Sequence, residues 1–298
     1  MNNRPRSTTR REFAAGALAL GPAAVLGSRA HAAGPIVVDS HTHTFIQGLP
    51  LAADARYVPD YDASYARLLA TADHNGVGRV VIAQPSFLGY DNSYLFSALK
   101  AEPKRLRGVP WIAPRTTTAQ WDEMGKLGVV GLRFPIRGLP SPNWGDYRET
   151  LAEAKRRGWH LHLYVERDRL KDILPVFLAS GANIVVPHMG LFDPKLGPKG
   201  DDGFKLLVES AKSRRVYAML NSPYRTSVEG AREAAPILLD AFGPERLLWG
   251  SDWPHTNTTL DRVTTYPQML QALAGWVPDP VTRNKILVDT PTRPFRFG

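Results

Sequence analysis

The stretch Ile36-Val37-Val38-Asp39-Ser40-His41-Thr42-His43 starts as a β-branched apolar run and ends on alternating polar side chains. Such a run reads as a short buried strand whose polar end marks where the chain leaves the sheet. Similar runs follow at 79–84, 107–113, 129–134, 159–165, 183–188, 216–221 and 246–250, which with 36–40 makes eight. Helical patterns lie between them at 61–75, 147–157, 169–179, 204–214 and 228–242, several closing on Gly or Asn as helix stops do. Strands alternating with helices predict a parallel sheet with crossover helices. Eight alternations predict an α/β chain folded as a (β/α)8 TIM barrel, which needs roughly 250 residues. An open doubly wound sheet is the alternative. No G-x-G-x-x-G follows the first run and no Walker A sequence occurs, so dinucleotide and P-loop sites are not expected. No linker or internal repeat divides 33–298, which reads as one barrel domain.

Ahead of the barrel, residues 1–32 read as a processing segment: Thr9-Arg10-Arg11-Glu12-Phe13, an apolar run over 13–26, and the A-x-A cleavage site Ala30-His31-Ala32. The paired arginines resemble a twin-arginine export signal, which in bacteria sends folded proteins to the periplasm. The apolar run is shorter than the about 20 residues a membrane span needs, so no stable insertion is expected after cleavage. Arg4, Arg6, Arg10, Arg11 and Arg29 against Glu12 lie in this segment, and without it the net charge falls from +9 to +5. No stretch longer than about five residues is predominantly basic, so nucleic acid is not expected as a partner; an anionic small molecule suits the remaining charge. Oligomeric state is left open. With 43% hydrophobic and 22% charged residues the chain can bury a large core, and with no cysteine any metal must be held by His and carboxylate.

Polar residues at the C-terminal ends of barrel strands are the default catalytic candidates, because that face carries the active site. Strand period two points His41 and His43 the same way. Strand six ends Val186-Pro187-His188-Met189-Gly190, and strand eight runs into Gly250-Ser251-Asp252-Trp253-Pro254-His255. A lone histidine is usually a satisfied core or surface residue. Four polar groups, His41, His43, His188 and Asp252, at the same end of three strands form a constellation. Arg133 ends strand four, Arg137 follows it, and Arg225 follows strand seven in Asn221-Ser222-Pro223-Tyr224-Arg225. Arginine presents a rigid fork that pairs with carboxylate, so these three read as a clamp for an acidic substrate, with Ser86 and Tyr164 adding neutral hydrogen bonds.

The H-T-H after strand one, P-H-M-G after strand six and W-G-S-D-W-P-H after strand eight resemble the amidohydrolase superfamily, in particular its amidohydrolase-related branch. Gln84-Pro85-Ser86 with Asp91-Asn92, Gly131-Leu132-Arg133-Phe134 and Ser251-Asp252-Trp253-Pro254-His255 are similar to 2-pyrone-4,6-dicarboxylate lactonases and related sugar-lactone hydrolases. The resemblance implies a hydrolase that opens a carboxylate-bearing lactone or related cyclic ester. Asp252 would be general base, and His41, His43 and His188 would polarise the carbonyl. Many metal-dependent relatives carry a histidine at the end of strand five, where Trp159-His160-Leu161-His162-Leu163-Tyr164 offers Tyr164 in one alignment and His162 in another. The pyrone-lactonase resemblance implies metal-free hydrolysis. The alternative is a single divalent ion such as Zn2+ on His41, His43 and Asp252, with His188 or His162 as a further ligand. The same branch contains metal-dependent decarboxylases, which makes a lyase the first rival, and a non-catalytic exported binding barrel is the second.

Overall fold

In the computed structural model, residues 36–166, 169–258 and 264–297 are described. The export segment expected at 1–32 lies outside them. Eight strands alternate with helices: β1 Val37–Thr42, β2 Val77–Ala83, β3 Leu106–Val109, β4 Gly131–Pro135, β5 His160–Tyr164, β6 Ile184–Val186, β7 Val216–Leu220 and β8 Leu247–Trp249. Each pairs in parallel with its sequence neighbour, in ladders β1-β2-β3 and β4-β5-β6-β7-β8. Two backbone seams join the ladders. Gly108 N–H donates to Gly128 O at 3.2 Å and Val130 N–H to Gly108 O at 3.1 Å. At the other seam Asp252 N–H donates to His41 O at 2.9 Å and His43 N–H to Trp253 O at 2.8 Å. The expected α/β barrel is therefore the architecture, with crossover helices outside the strands.

Alternation along each strand sorts the side chains. On β2, Val80 and Ile82 pack outward under the helices while Val81 and Ala83 point into the barrel. On β5, Leu161 and Leu163 join the outer core, leaving His160, His162 and Tyr164 on the other face. Phe295, at the end of the C-terminal helix Thr290–Phe295, packs with inner-face residues and against His160, ring centroids 5.2 Å apart. His160 thus sits at the N-terminal end of the barrel, while His43, Arg133 and Tyr164 lie at the opposite, C-terminal mouth.

Six strands end earlier than the apolar runs predict, β2, β5, β7 and β8 by one residue, β6 by two and β3 by four. After β3 and β6 the next residues are Pro110 and Pro187, which have no N–H to give a ladder. After β8 comes Gly250, where a Cβ would stand 2.7 Å from His41 Cβ, so β1 and the loop after β8 approach closely there. The helix expected at 61–75 starts at Tyr65, because the Ser64 side chain accepts from Arg67 N–H and caps it. Helices at Ser93–Ala101, Thr118–Leu127 and Tyr266–Trp276 complete the alternation. Among the described residues no helix is long and apolar enough to cross a membrane.

Candidate active site

Asp252 sits in the turn after β8, fully buried, and its two oxygens have different neighbours. Oδ2 accepts from Tyr224 OH at 2.5 Å and Arg225 Nε at 2.6 Å. Oδ1 has no hydrogen-bond partner and faces His41 Nε2 at 3.4 Å and His43 Nε2 at 3.3 Å. Burial alone would raise the Asp252 pKa, but Arg225 and the neighbouring histidines outweigh it and hold the carboxyl well below the usual range. Arg225 is its counterpart: burial works against its charge, yet Asp252 keeps it firmly protonated.

The histidines are neutral. Burial, reinforced by His43 and Arg133, lowers the His41 pKa to about 3 against the pull of Asp252. His43 is lowered by burial and by Arg133. His43 Nδ1 has two neighbours, Ala83 O at 2.7 Å, which can only accept, and Arg133 Nη1 at 3.3 Å, which can only donate; the shorter contact places the proton on Nδ1 and leaves Nε2 unprotonated, 3.3 Å from Asp252 Oδ1. His41 Nδ1 lies 3.1 Å from His162 Nε2, placing His162 beneath His41 and away from Asp252. His188 follows β6 with its ring 5.0 Å from His41 and 5.2 Å from Tyr164.

The side chains expected to bind substrate converge on the same mouth. His43, Ser86, Arg133, Tyr164, His188 and Arg225 line one small polar cavity. Arg137 reaches it through Tyr164, donating from Nη1 to the phenol oxygen at 2.9 Å. Burial would raise the Tyr164 pKa, but Arg225 and Arg137 prevail and lower it. Arg133 is fully buried, donates to Gln84 O, and is lowered by burial to about 10, still charged at neutral pH. Arg225 does double duty, facing the cavity while paired with Asp252. Sequence reasoning missed Arg56 and Tyr57 from the loop after β1 and Thr256 and Asn257 from the loop after β8. Tyr57 OH and Thr256 Oγ1, 2.9 Å apart, tie these loops across the mouth. It also missed Tyr224, one residue from Arg225. Only the polar quartet Asn221, Ser222, Tyr224 and Arg225 at one strand end could have signalled it.

The family model described as Amidohydrolase matches residues 38–297. The chain belongs to the amidohydrolase family. It is 30% identical over 273 residues to a 2-pyrone-4,6-dicarboxylate hydrolase of Comamonas testosteroni, covering 86% of this chain and 88% of that one. To a 4-sulfomuconolactone hydrolase of Rhizobium radiobacter it is 28% identical over 269 residues, 86% of this chain and 89% of the relative. The crystal structure of a probable 2-pyrone-4,6-dicarboxylic acid hydrolase from Acinetobacter baumannii, with citric acid bound, superimposes with a TM-score of 0.82 at 27% identity, covering 88% of this chain and 99% of that one.

The residues gathered here fit a divalent ion. His41, His43 and Asp252 each offer a ligand atom within 4.8 Å of the others, and the His41 Nε2 and Asp252 Oδ1 atoms are otherwise unpartnered. His162 and His188 fall outside this triad.

Proposed function

We propose that this amidohydrolase is an exported lactonase that adds water to a carboxylate-bearing lactone or related cyclic ester. The observation that carries the reading is the unpartnered Asp252 Oδ1, ionised by its neighbours and set 3.3 Å behind His43 Nε2, whose ring lines the mouth together with Arg133, Arg225 and Tyr164. The relatives named above, hydrolases of a pyrone dicarboxylate and of a sulfonated lactone, and the citrate in the Acinetobacter structure, support an anionic substrate.

Chemically, the arginines fix the substrate carboxylates and present the lactone carbonyl to the histidines. Asp252 Oδ1 takes a proton from water as the water oxygen bonds to the carbonyl carbon. The carbonyl π pair moves to oxygen, where N–H donors stabilise the oxyanion. Collapse re-forms the carbonyl and breaks the ring C–O bond, and the proton on Asp252 passes to the departing oxygen, giving a ring-opened hydroxy acid or its keto tautomer. A divalent ion on His41, His43 and Asp252 would supply Lewis-acid polarisation of the carbonyl oxygen. Arg133 and Arg225 already set two guanidiniums around one carboxylate, so a dication would deepen an existing positive excess. Turnover is accordingly expected to survive chelation.

The test is turnover of carboxylated and uncharged lactones by purified protein, with and without chelator, with product analysis. Ring-opened acid supports the hydrolase. Carbon dioxide release would replace it with a lyase, and tight binding without turnover would replace it with a binding barrel. Activity lost to chelator and restored by zinc would overturn the metal-free step. Export rests on Arg10, Arg11 and Ala30-His31-Ala32. Replacing both arginines by lysine should leave uncleaved protein in the cytoplasm; normal periplasmic delivery would refute the twin-arginine route.

A further inference from the structure

Behind His188 lies a polar cluster that the reaction outlined above does not use. Asn221, at the end of β7, and Ser222 are both 1% exposed, as is His188. The backbone N–H of His188 donates to Asn221 Oδ1 at 2.7 Å. A backbone N–H can only donate, so this bond fixes which end of the Asn221 amide is oxygen, and the NH2 group is left pointing at the imidazole. Its Nδ2 lies 3.1 Å from His188 Nδ1 and 3.0 Å from Ser222 Oγ. Ser222 Oγ lies 3.0 Å from the same Nδ1, but a hydroxyl can donate or accept and so follows whichever tautomer is imposed. An amide NH2 cannot accept, so the bond from Asn221 makes His188 Nδ1 the acceptor. In a neutral imidazole the proton then sits on Nε2, on the ring that lines the cavity beside Arg133 and Tyr164.

We propose that Asn221 is a positioning residue that locks His188 in its Nε2–H tautomer, making that histidine a permanent hydrogen-bond donor to the substrate carbonyl oxygen. The catalytic half of this statement rests on the lactonase reading; the tautomer half does not. The lock explains a division of labour between two histidines of the mouth. Ala83 O holds the proton of His43 on Nδ1 and turns its lone pair to the centre, whereas Asn221 holds the proton of His188 on Nε2 and turns a donor there. With Nε2 protonated, His188 is neither a base nor a metal ligand at the mouth, which leaves proton abstraction to Asp252.

Asn221→Asp tests this with little disturbance. The carboxylate still accepts from the His188 backbone N–H, but it can only accept, so the imidazole must give it the Nδ1 proton and turn an Nε2 lone pair to the cavity. Histidine-selective 15N labelling distinguishes the tautomers at neutral pH without substrate, His188→Gln assigning the resonances. Wild type should show protonated Nε2, and Asn221→Asp protonated Nδ1. Ser222→Gly, suited to the left-handed backbone there, should keep the wild-type tautomer, because the hydroxyl it removes from His188 Nδ1 can donate or accept and only follows the tautomer that Asn221 imposes. On a turned-over lactone, Asn221→Asp should lower kcat about 10²- to 10³-fold with KM little changed, the signature of a lost oxyanion donor. Protonated Nδ1 in wild type, or a tautomer that shifts in Ser222→Gly but not in Asn221→Asp, overturns the lock. Unchanged kcat alongside an inverted tautomer overturns its catalytic role. If the tautomers behave as described while no lactone is opened, the lock stands and only the lactonase reading falls.

Discussion

At Asp252 the division between a satisfied Oδ2 and an open Oδ1 decides what substitution does. Asp252→Asn keeps the volume but removes the proton acceptor, so kcat should fall by at least about 10²- to 10⁴-fold. It also leaves Arg225 buried without its carboxylate, a defect of about 3 to 5 kcal/mol in comparable pairs. The rate must therefore be normalised to folded protein, and near wild-type turnover in that sample would remove Asp252 from the mechanism. Arg133 calls for a different readout. Arg133→Met keeps bulk on the inner face of β4 and deletes the charge, so KM for a carboxylated lactone should rise about 10- to 150-fold, the equivalent of a charge-assisted bond of about 1.5 to 3 kcal/mol. An uncharged analogue should be nearly unaffected. Equal losses on both substrates would mean that Arg133 supports His43 and Gln84 rather than holding the ligand.

Strand ends carry the functional side chains, and their backbone is what the sequence concealed. His188, Ser222, Asp252 and His255 all have left-handed φ, at 55°, 54°, 60° and 64°. Such residues are rarely non-glycine, each costing about 1 to 2 kcal/mol, and nothing in a β-branched run announces that the next residue will adopt the conformation. His41 faces inward like Val38 three residues before it only because the register of β1 shifts between Asp39 and Thr42, which the sequence did not announce. Strand order and the inward face of Arg133 and Tyr164 follow from period two and barrel topology, so they were legible. The Asn221 cluster and the Arg56-Tyr57 loop were not, because they depend on turns and on loops that meet only once the barrel closes. Arg214 shows the same strain without a role at the site. It is an exposed left-handed cap at φ 53°, and Arg214→Gly should relieve that strain for a net gain of up to about 1 kcal/mol after the extra chain entropy of glycine. A small rise in Tm with unchanged kinetics is expected; a fall would show that the Arg214 side chain holds the β7 entry.

Across the whole barrel, burying imidazoles makes stability a function of pH. Burial lowers the pKa of His160 and His255 to about 4 and that of His41 to about 3, and it lowers His43, His162 and His188 as well. Between pH 6.5 and about 4 the unfolded chain binds protons that the folded one refuses, so stability falls as the pH falls, by up to about 1.4 kcal/mol per unit for each such group. Asp39 works in the opposite sense. Burial raises it to about 6 despite its bonds from Ser251, Tyr266 and His41, so between pH 3.8 and about 6 the folded state is the one that holds the extra proton. Its contribution therefore grows as the pH falls and offsets one histidine, leaving a net acid loss. Denaturant midpoints should decline steeply from pH 6.5 to 5. In Asp39→Asn, which can still accept the backbone N–H groups of Ser251 and His41, the compensating proton is gone, and the decline should steepen by about 1.4 kcal/mol per pH unit. If the slope is unchanged in that variant, Asp39 is ionised in the folded protein throughout this range, and its carboxylate rather than its neutral form braces the turn that carries Asp252.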